Sequence, residues 1–136
     1  MTSLDQVRSE TTEFFGLHWP QEWGPAPQWS DRWDLTTGSK DNERAGCYLL
    51  IDSKGALVYI GKASQRSSDG SLARRLLGHV IRPIRRGGPY EIKIDKWPTV
   101  TDIHTLAFEE DRAYLAVSLE AFLIRRLKPE RNCAVS

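Results

Sequence analysis

Two tyrosines in neighbouring apolar runs, the second followed closely by a lysine, are the first residues here with the makings of a chemical site. They lie in Gly46-Cys47-Tyr48-Leu49-Leu50-Ile51-Asp52-Ser53-Lys54-Gly55-Ala56-Leu57-Val58-Tyr59-Ile60-Gly61. Two apolar runs, Cys47 to Ile51 and Leu57 to Ile60, flank Asp52-Ser53-Lys54-Gly55, a segment with turn chemistry, so the stretch predicts a β-hairpin. An antiparallel register closed at that turn brings Tyr48 and Tyr59 to the same end of the ribbon. Paired phenols followed at once by Gly61-Lys62 read as a site, although strand tyrosines more often simply pack across a hairpin. Further along, Arg74, Arg75, Arg82, Arg85, Arg86, Lys93 and Lys96 face only Glu91 and Asp95 between Leu72 and Trp97. A second basic group, Arg125, Arg126, Lys128 and Arg131, follows. Such clusters suit a phosphate backbone, or else a solvated helix face.

In this combination the sequence resembles the GIY-YIG nuclease family, named for two such tripeptides. The first is Gly46-Cys47-Tyr48, with cysteine in place of the usual aliphatic residue, and the second is an intact Tyr59-Ile60-Gly61. Later positions fall in family order: Lys62, Arg75 in Leu72-Ala73-Arg74-Arg75-Leu76, Glu120 in Leu119-Glu120-Ala121-Phe122-Leu123-Ile124, and Asn132 in Leu127-Lys128-Pro129-Glu130-Arg131-Asn132. The resemblance spans roughly residues 45 to 133 and implies an α/β (α+β) domain, a central sheet of three or slightly more strands flanked by helices. It also implies a metal-dependent endonuclease that hydrolyses DNA phosphodiester bonds by a one-metal, tyrosine-assisted route. RNA is a second possible substrate. The rival expectation is an inactive module of the same fold that binds nucleic acid or another protein.

Phosphodiester hydrolysis needs an activated nucleophile, stabilisation of charge on the phosphate, and help for the leaving oxygen. Glu120 is the natural metal ligand, because Mg²⁺ (or Mn²⁺) keeps several waters and one carboxylate can suffice. Arg75 suits a bidentate phosphate clamp that lysine cannot copy; Arg74 is one helix position away, and the resemblance selects Arg75. A phenol with a reference pKa of about 10 loses roughly 3–4 kcal/mol when held ionised at neutral pH, unless a cation offsets it. Lys62 and the metal are the cations expected to do so. The resemblance implies that Tyr48 or Tyr59 activates or positions the water, and spacing does not choose between them. It also implies structural support from Asn132, through hydrogen bonds to backbone, and from Gly46 and Gly61. His79, Arg74, Arg82, Arg85 and Arg86 are the remaining candidates for substrate contact.

The elements that must position these residues fit in one domain of 136 residues with a terminal extension. We place the extension at 1–44 and the nuclease-like domain at 45–136. No apolar run reaches the ~20 residues of a membrane span, and no signal-peptide pattern opens the chain, so a cytoplasmic protein without a membrane partner is expected. With two cysteines, Cys47 and Cys133, free thiols are expected over a disulfide. His18, His79 and His104 share no metal-ligand spacing with each other or the cysteines, which argues against zinc.

Along the chain, residues 3 to 15 predict an amphipathic helix capped by Ser3 and ended by Gly16. Trp19, Trp23, Trp29 and Trp33 then alternate with Pro20, Pro25 and Pro27, which excludes a long regular element. These tryptophans are expected mainly to pack, with substrate stacking or a partner contact, a protein partner or a homodimer through the extension, as the alternative. Polar loops are expected at 38–44 and 63–71. Ser71 predicts the cap of a helix from Leu72 to about Ile81, ended by Pro83, with Leu72, Leu76, Val80 and Leu77 as its apolar stripe and Arg75 off it. Strands are expected at Tyr90–Ile94 and Ile103–Phe108, the latter favoured as the third strand of the sheet. Asp111 is expected to cap a helix through Leu127 that buries Leu115, Leu119, Phe122, Leu123 and Leu127.

Overall fold

The computed structural model describes residues 1–36, 43–64 and 71–133. Most of the two expected polar loops, 38–42 and 65–70, lies outside the described residues. The turn of the hairpin forms because Asp52 acts as its own template: its Oδ1 accepts from the N–H groups of Lys54 and Ala56, both at 2.9 Å. Gly55 supplies the positive φ of 83° that closes it. Strands β1 (Gly46–Asp52) and β2 (Leu57–Ala63) follow on either side, and β5 (Val100–Ala107) pairs antiparallel with the other edge of β1. The three-stranded sheet therefore runs β2-β1-β5. It is antiparallel, in a mixed α and β fold.

β1 is buried along nearly its whole length because helices cover both faces of the sheet. On one face Cys47, Leu49, Ile60 and Leu106 meet α1 (Leu4–His18) and α3 (Leu115–Leu127) through Val7, Phe14, Leu119 and Leu123. On the other, Tyr48, Leu50 and Ile103 meet α2 (Leu72–His79) through Leu72 and Leu76, together with Trp97. Burial of Leu72, Leu76 and Val80 matches the expected stripe, while Leu77 is exposed.

Several boundaries differ from the sequence expectation. Helix α1 opens with the Ser3–Gln6 capping box but runs through Gly16 to His18. One interior glycine costs a helix only about 1 kcal/mol, and the real stop is Pro20, beyond the Trp19 N–H to Phe15 carbonyl bond. Helix α2 ends at His79, because Ile81–Pro83 (β3) leaves it to pair with Tyr90–Ile92 (β4) in a separate two-stranded ribbon. That pairing partner is distant in sequence, so local pattern alone extended the helix too far and the strand from 92 to 94. Asp111 caps nothing: it lies in the 3-10 turn Glu110–Arg112, and α3 begins three residues after that turn. Helix α3 buries Leu115, Leu119 and Leu123 and half-buries Phe122 and Leu127. Lys128, in the left-handed conformation, ends it before the short helix α4 (Glu130–Cys133).

The tryptophans of the extension are fastened to this core. Trp29 is buried and donates to Thr11 Oγ1 at 2.9 Å; Trp33 donates to Thr105 Oγ1 at 3.0 Å. Trp19 and Trp23 stack edge-to-face at 5.1 Å, and the Arg112 guanidinium lies over both rings. Backbone bonds from Ser30 N to Thr105 O and Trp33 N to Ile103 O, both 2.8 Å, lay the extension along the outer edge of β5. An edge that would otherwise present unpaired donors and acceptors is covered in this way. No helix among the described residues is long and apolar enough to cross a membrane.

Candidate active site

Register sets the geometry of the paired phenols. Tyr48 stands opposite Gly61, and Leu50 opposite Tyr59, so both tyrosines project on the α2 side of the sheet. Their ring centroids are 6.1 Å apart at 41°. The Tyr48 ring lies across Gly61 so closely that a Cβ there would overlap its phenol end, and a Cβ on Gly46 would strike the Leu106 carbonyl. Gly61→Ala should therefore push Tyr48 from its seat, cost about 1–3 kcal/mol of stability as an overpacked core does, and lower any activity that needs the phenol. A thermal melt run beside an activity assay checks both effects.

The two phenols differ in environment. Tyr48 is only 1% exposed; burial pushes its pKa far up, the nearby Tyr59 and Glu120 push the same way, and the Arg75 guanidinium opposes them. Tyr59 is half-buried against Trp97, centroids 5.1 Å apart. Burial and Glu120 raise its pKa too, opposed by Arg75 and Arg131. The cation acting on both phenols is thus Arg75, not Lys62 as their closeness in sequence suggested.

Arg75 comes from the middle of α2, and its Nε is sealed from water without a hydrogen-bond partner. A buried donor left unpaired costs about 1–3 kcal/mol, so the Arg75 side chain is held here at a cost to the fold. Glu120 comes from the other face: it lies one turn beyond Ala116, whose carbonyl accepts from the Cys47 thiol at 3.2 Å. Burial raises the Glu120 carboxyl above the usual carboxylate range, with Lys62 first and Arg75 second drawing it back. The carboxylate also raises both phenols, so Tyr48, Tyr59, Arg75 and Glu120 occupy one electrostatic neighbourhood.

Lys62 reaches that neighbourhood from behind. It pairs with Cys47, and strand alternation turns it to the α3 side, away from Tyr59 and Gly61. There it lines a groove with Ser64, Glu110, Tyr114, Val117 and Ser118.

The other expected contacts are dispersed. Arg74 is exposed on α2, one position from Arg75. His79 ends that helix, and its carbonyl accepts from the Trp97 indole at 2.7 Å. Arg82 pairs with Asp95 at 2.5 Å and with Glu91 at 3.9 Å, so much of its charge is met by β4 and the turn that follows it. Arg85 and Arg86 are exposed in the β3–β4 turn. Asn132 lies against the free edge of β2: its Oδ1 accepts from Ile60 N at 2.8 Å and its Nδ2 donates to Ile60 O at 2.9 Å. One side chain thereby satisfies the strand residue next to Tyr59 as a neighbouring strand would.

Sequence reasoning did not place Trp97 or Arg131 at the site. Trp97 is 4% exposed and touches Tyr59, and the Arg131 guanidinium lies 4.4 Å from its ring centroid. Nothing local marks either residue; the only signal was that a tryptophan beyond the extension must be buried somewhere. Among known proteins, no family model matches the chain and no curated protein matches it.

Proposed function

We propose that this chain is a metal-dependent endonuclease that hydrolyses phosphodiester bonds of DNA, a reading in keeping with the GIY-YIG resemblance. The observation that carries it is the pair of phenols 6.1 Å apart on the face of the hairpin that α2 covers, with Arg75 on that helix and both Arg75 and Glu120 acting electrostatically on the two rings. In support, Arg75 is only partly buried, on the helix that packs against the face of the sheet where both phenols project.

No cluster of three or more His, Cys, Asp or Glu side chains suited to a metal occurs among the described residues. Glu120 fits the lone protein ligand of Mg²⁺ or Mn²⁺, because burial leaves its carboxyl short of compensating charge and such ions complete their shell with water and phosphate oxygen. When bound, the ion would balance charge on the phosphate and lower the pKa of a water.

The chain's own residues do the rest. Arg75 orients the scissile phosphate and takes up the charge that grows on it, which its planar fork does with two parallel bonds. Tyr59, the more accessible phenol, and Tyr48 behind it hold the attacking water in line by hydrogen bonds. Lys62, on the α3 side of the sheet like Glu120, favours the ionised carboxylate. Gly61 leaves space for the Tyr48 ring, and Asn132 fixes the strand that carries Tyr59.

Conversion of supercoiled plasmid to nicked or linear DNA tests the reading. Cleavage is expected with Mg²⁺ or Mn²⁺ and should stop on chelation. A well-folded protein that binds DNA without cutting it would instead support a binding module of the same fold.

A further inference from the structure

The last basic group of the sequence does not act as one patch. Arg126 is engaged across the α1–α3 contact with Glu10 and Glu13, both at 3.3 Å, and lies over Phe122. Arg131 turns the other way. Its guanidinium rests 4.4 Å from the Trp97 ring centroid, and its Nη1 donates to the Lys96 carbonyl at 3.0 Å. Tyr59 meets the same indole at 5.1 Å.

Trp97 is itself immobilised. It is buried, and its indole N–H is bonded to the carbonyl of His79, the last residue of the helix that carries Arg75. Asn132, the next residue after Arg131, is bonded twice to Ile60, the next residue after Tyr59. One wall therefore fixes the Arg131 guanidinium, and the end of the helix that carries Arg75, relative to the Tyr59 ring. Among the described residues no carboxylate pairs with Arg131. A guanidinium has five N–H donors, of which one is used by Lys96, and stacking on an aromatic face leaves the remaining edge donors free for an oxyanion.

We propose that Arg131, held over the Trp97 ring, is a second phosphate contact for the DNA strand, beside the phosphate taken by Arg75. This subsite rests on the nuclease reading above. It makes the path of the strand run past Tyr59 from α2 toward α4, and it explains why an arginine and a tryptophan far apart in sequence are built into one rigid unit at the edge of the site. A merely structural arginine would stabilise the C-terminal segment and leave the electrostatics of binding unchanged.

The two roles separate by salt dependence. Binding of a labelled DNA duplex without divalent ion is measured across a salt series for wild type, Arg131→Gln and Arg131→Lys. Each phosphate neutralised contributes about 0.9 to the slope of log affinity against log salt for duplex DNA. Arg131→Gln is therefore expected to bind several-fold more weakly at low salt with a slope smaller by about 1. Arg131→Lys should keep the slope while losing affinity, because the charge stays but the stacked fork is gone. An unchanged slope in Arg131→Gln overturns the subsite even if that variant melts earlier, and it leaves the nuclease reading intact. Should Arg131→Gln fold poorly, Arg131→Met, which keeps the apolar contact with Trp97, is judged by the same slope. A wild type that neither binds DNA nor nicks plasmid removes the nuclease reading and the subsite with it.

Discussion

Glu120→Gln should lower Mg²⁺-dependent nicking by about 10³-fold or more, on the scale seen when a preorganised charge-stabilising group is removed from an active site. The substitution keeps shape and hydrogen-bonding capacity and removes only the charge that would hold the ion. Stability should respond in the opposite sense. Burial raises the carboxyl of Glu120, so the folded protein bears a cost for the ionised form that glutamine does not. A melting temperature equal to or above wild type, together with lost nicking, identifies a group kept for chemistry. Lost nicking with a lowered melting temperature would mean that Glu120 serves the fold.

Arg75→Lys should lower nicking by about 10²-fold, although the charge is retained. The ammonium is a single point that cannot place two parallel bonds on a phosphate. The loss should fall mainly on kcat, because the clamp matters most once charge gathers on the phosphate. Steady-state nicking at several DNA concentrations separates kcat from KM. A variant with the wild-type kcat and a raised KM would make Arg75 a binding residue of the ground state.

How much of this was legible before the structure depended on the range of the interactions. The hairpin could be read because its turn is closed by Asp52 and Gly55, both within it, and the third strand was chosen by its distance from Glu120 along the chain, although it starts at Val100, ahead of the expected Ile103. The seat of Tyr48 over Gly61 follows from register once the hairpin is granted. Of the ribbon β3–β4, the strand at Tyr90 was read but its partner Ile81–Pro83 was not, because the two halves stabilise each other across a turn with no strong local pattern. Lys62 was credited to the phenols by its nearness in sequence, which ignores that adjacent residues of a strand face opposite sides. The Trp97–Arg131 unit was invisible since each member gains its meaning only from the other, and the same holds for Trp33 and Thr105, 72 residues apart.

The central claim is that a divalent ion sits where Glu120 approaches the phenols and Arg75, segments remote from one another along the chain. Fe²⁺ supplied in place of Mg²⁺, with ascorbate and peroxide, generates hydroxyl radicals that cut the polypeptide beside the bound ion. The cuts are expected to cluster around Tyr48, Tyr59 to Lys62, Arg75 and Glu120, to fade with excess Mg²⁺, and to vanish in Glu120→Gln. Cuts that fall elsewhere, or that persist unchanged in Glu120→Gln, would contradict it.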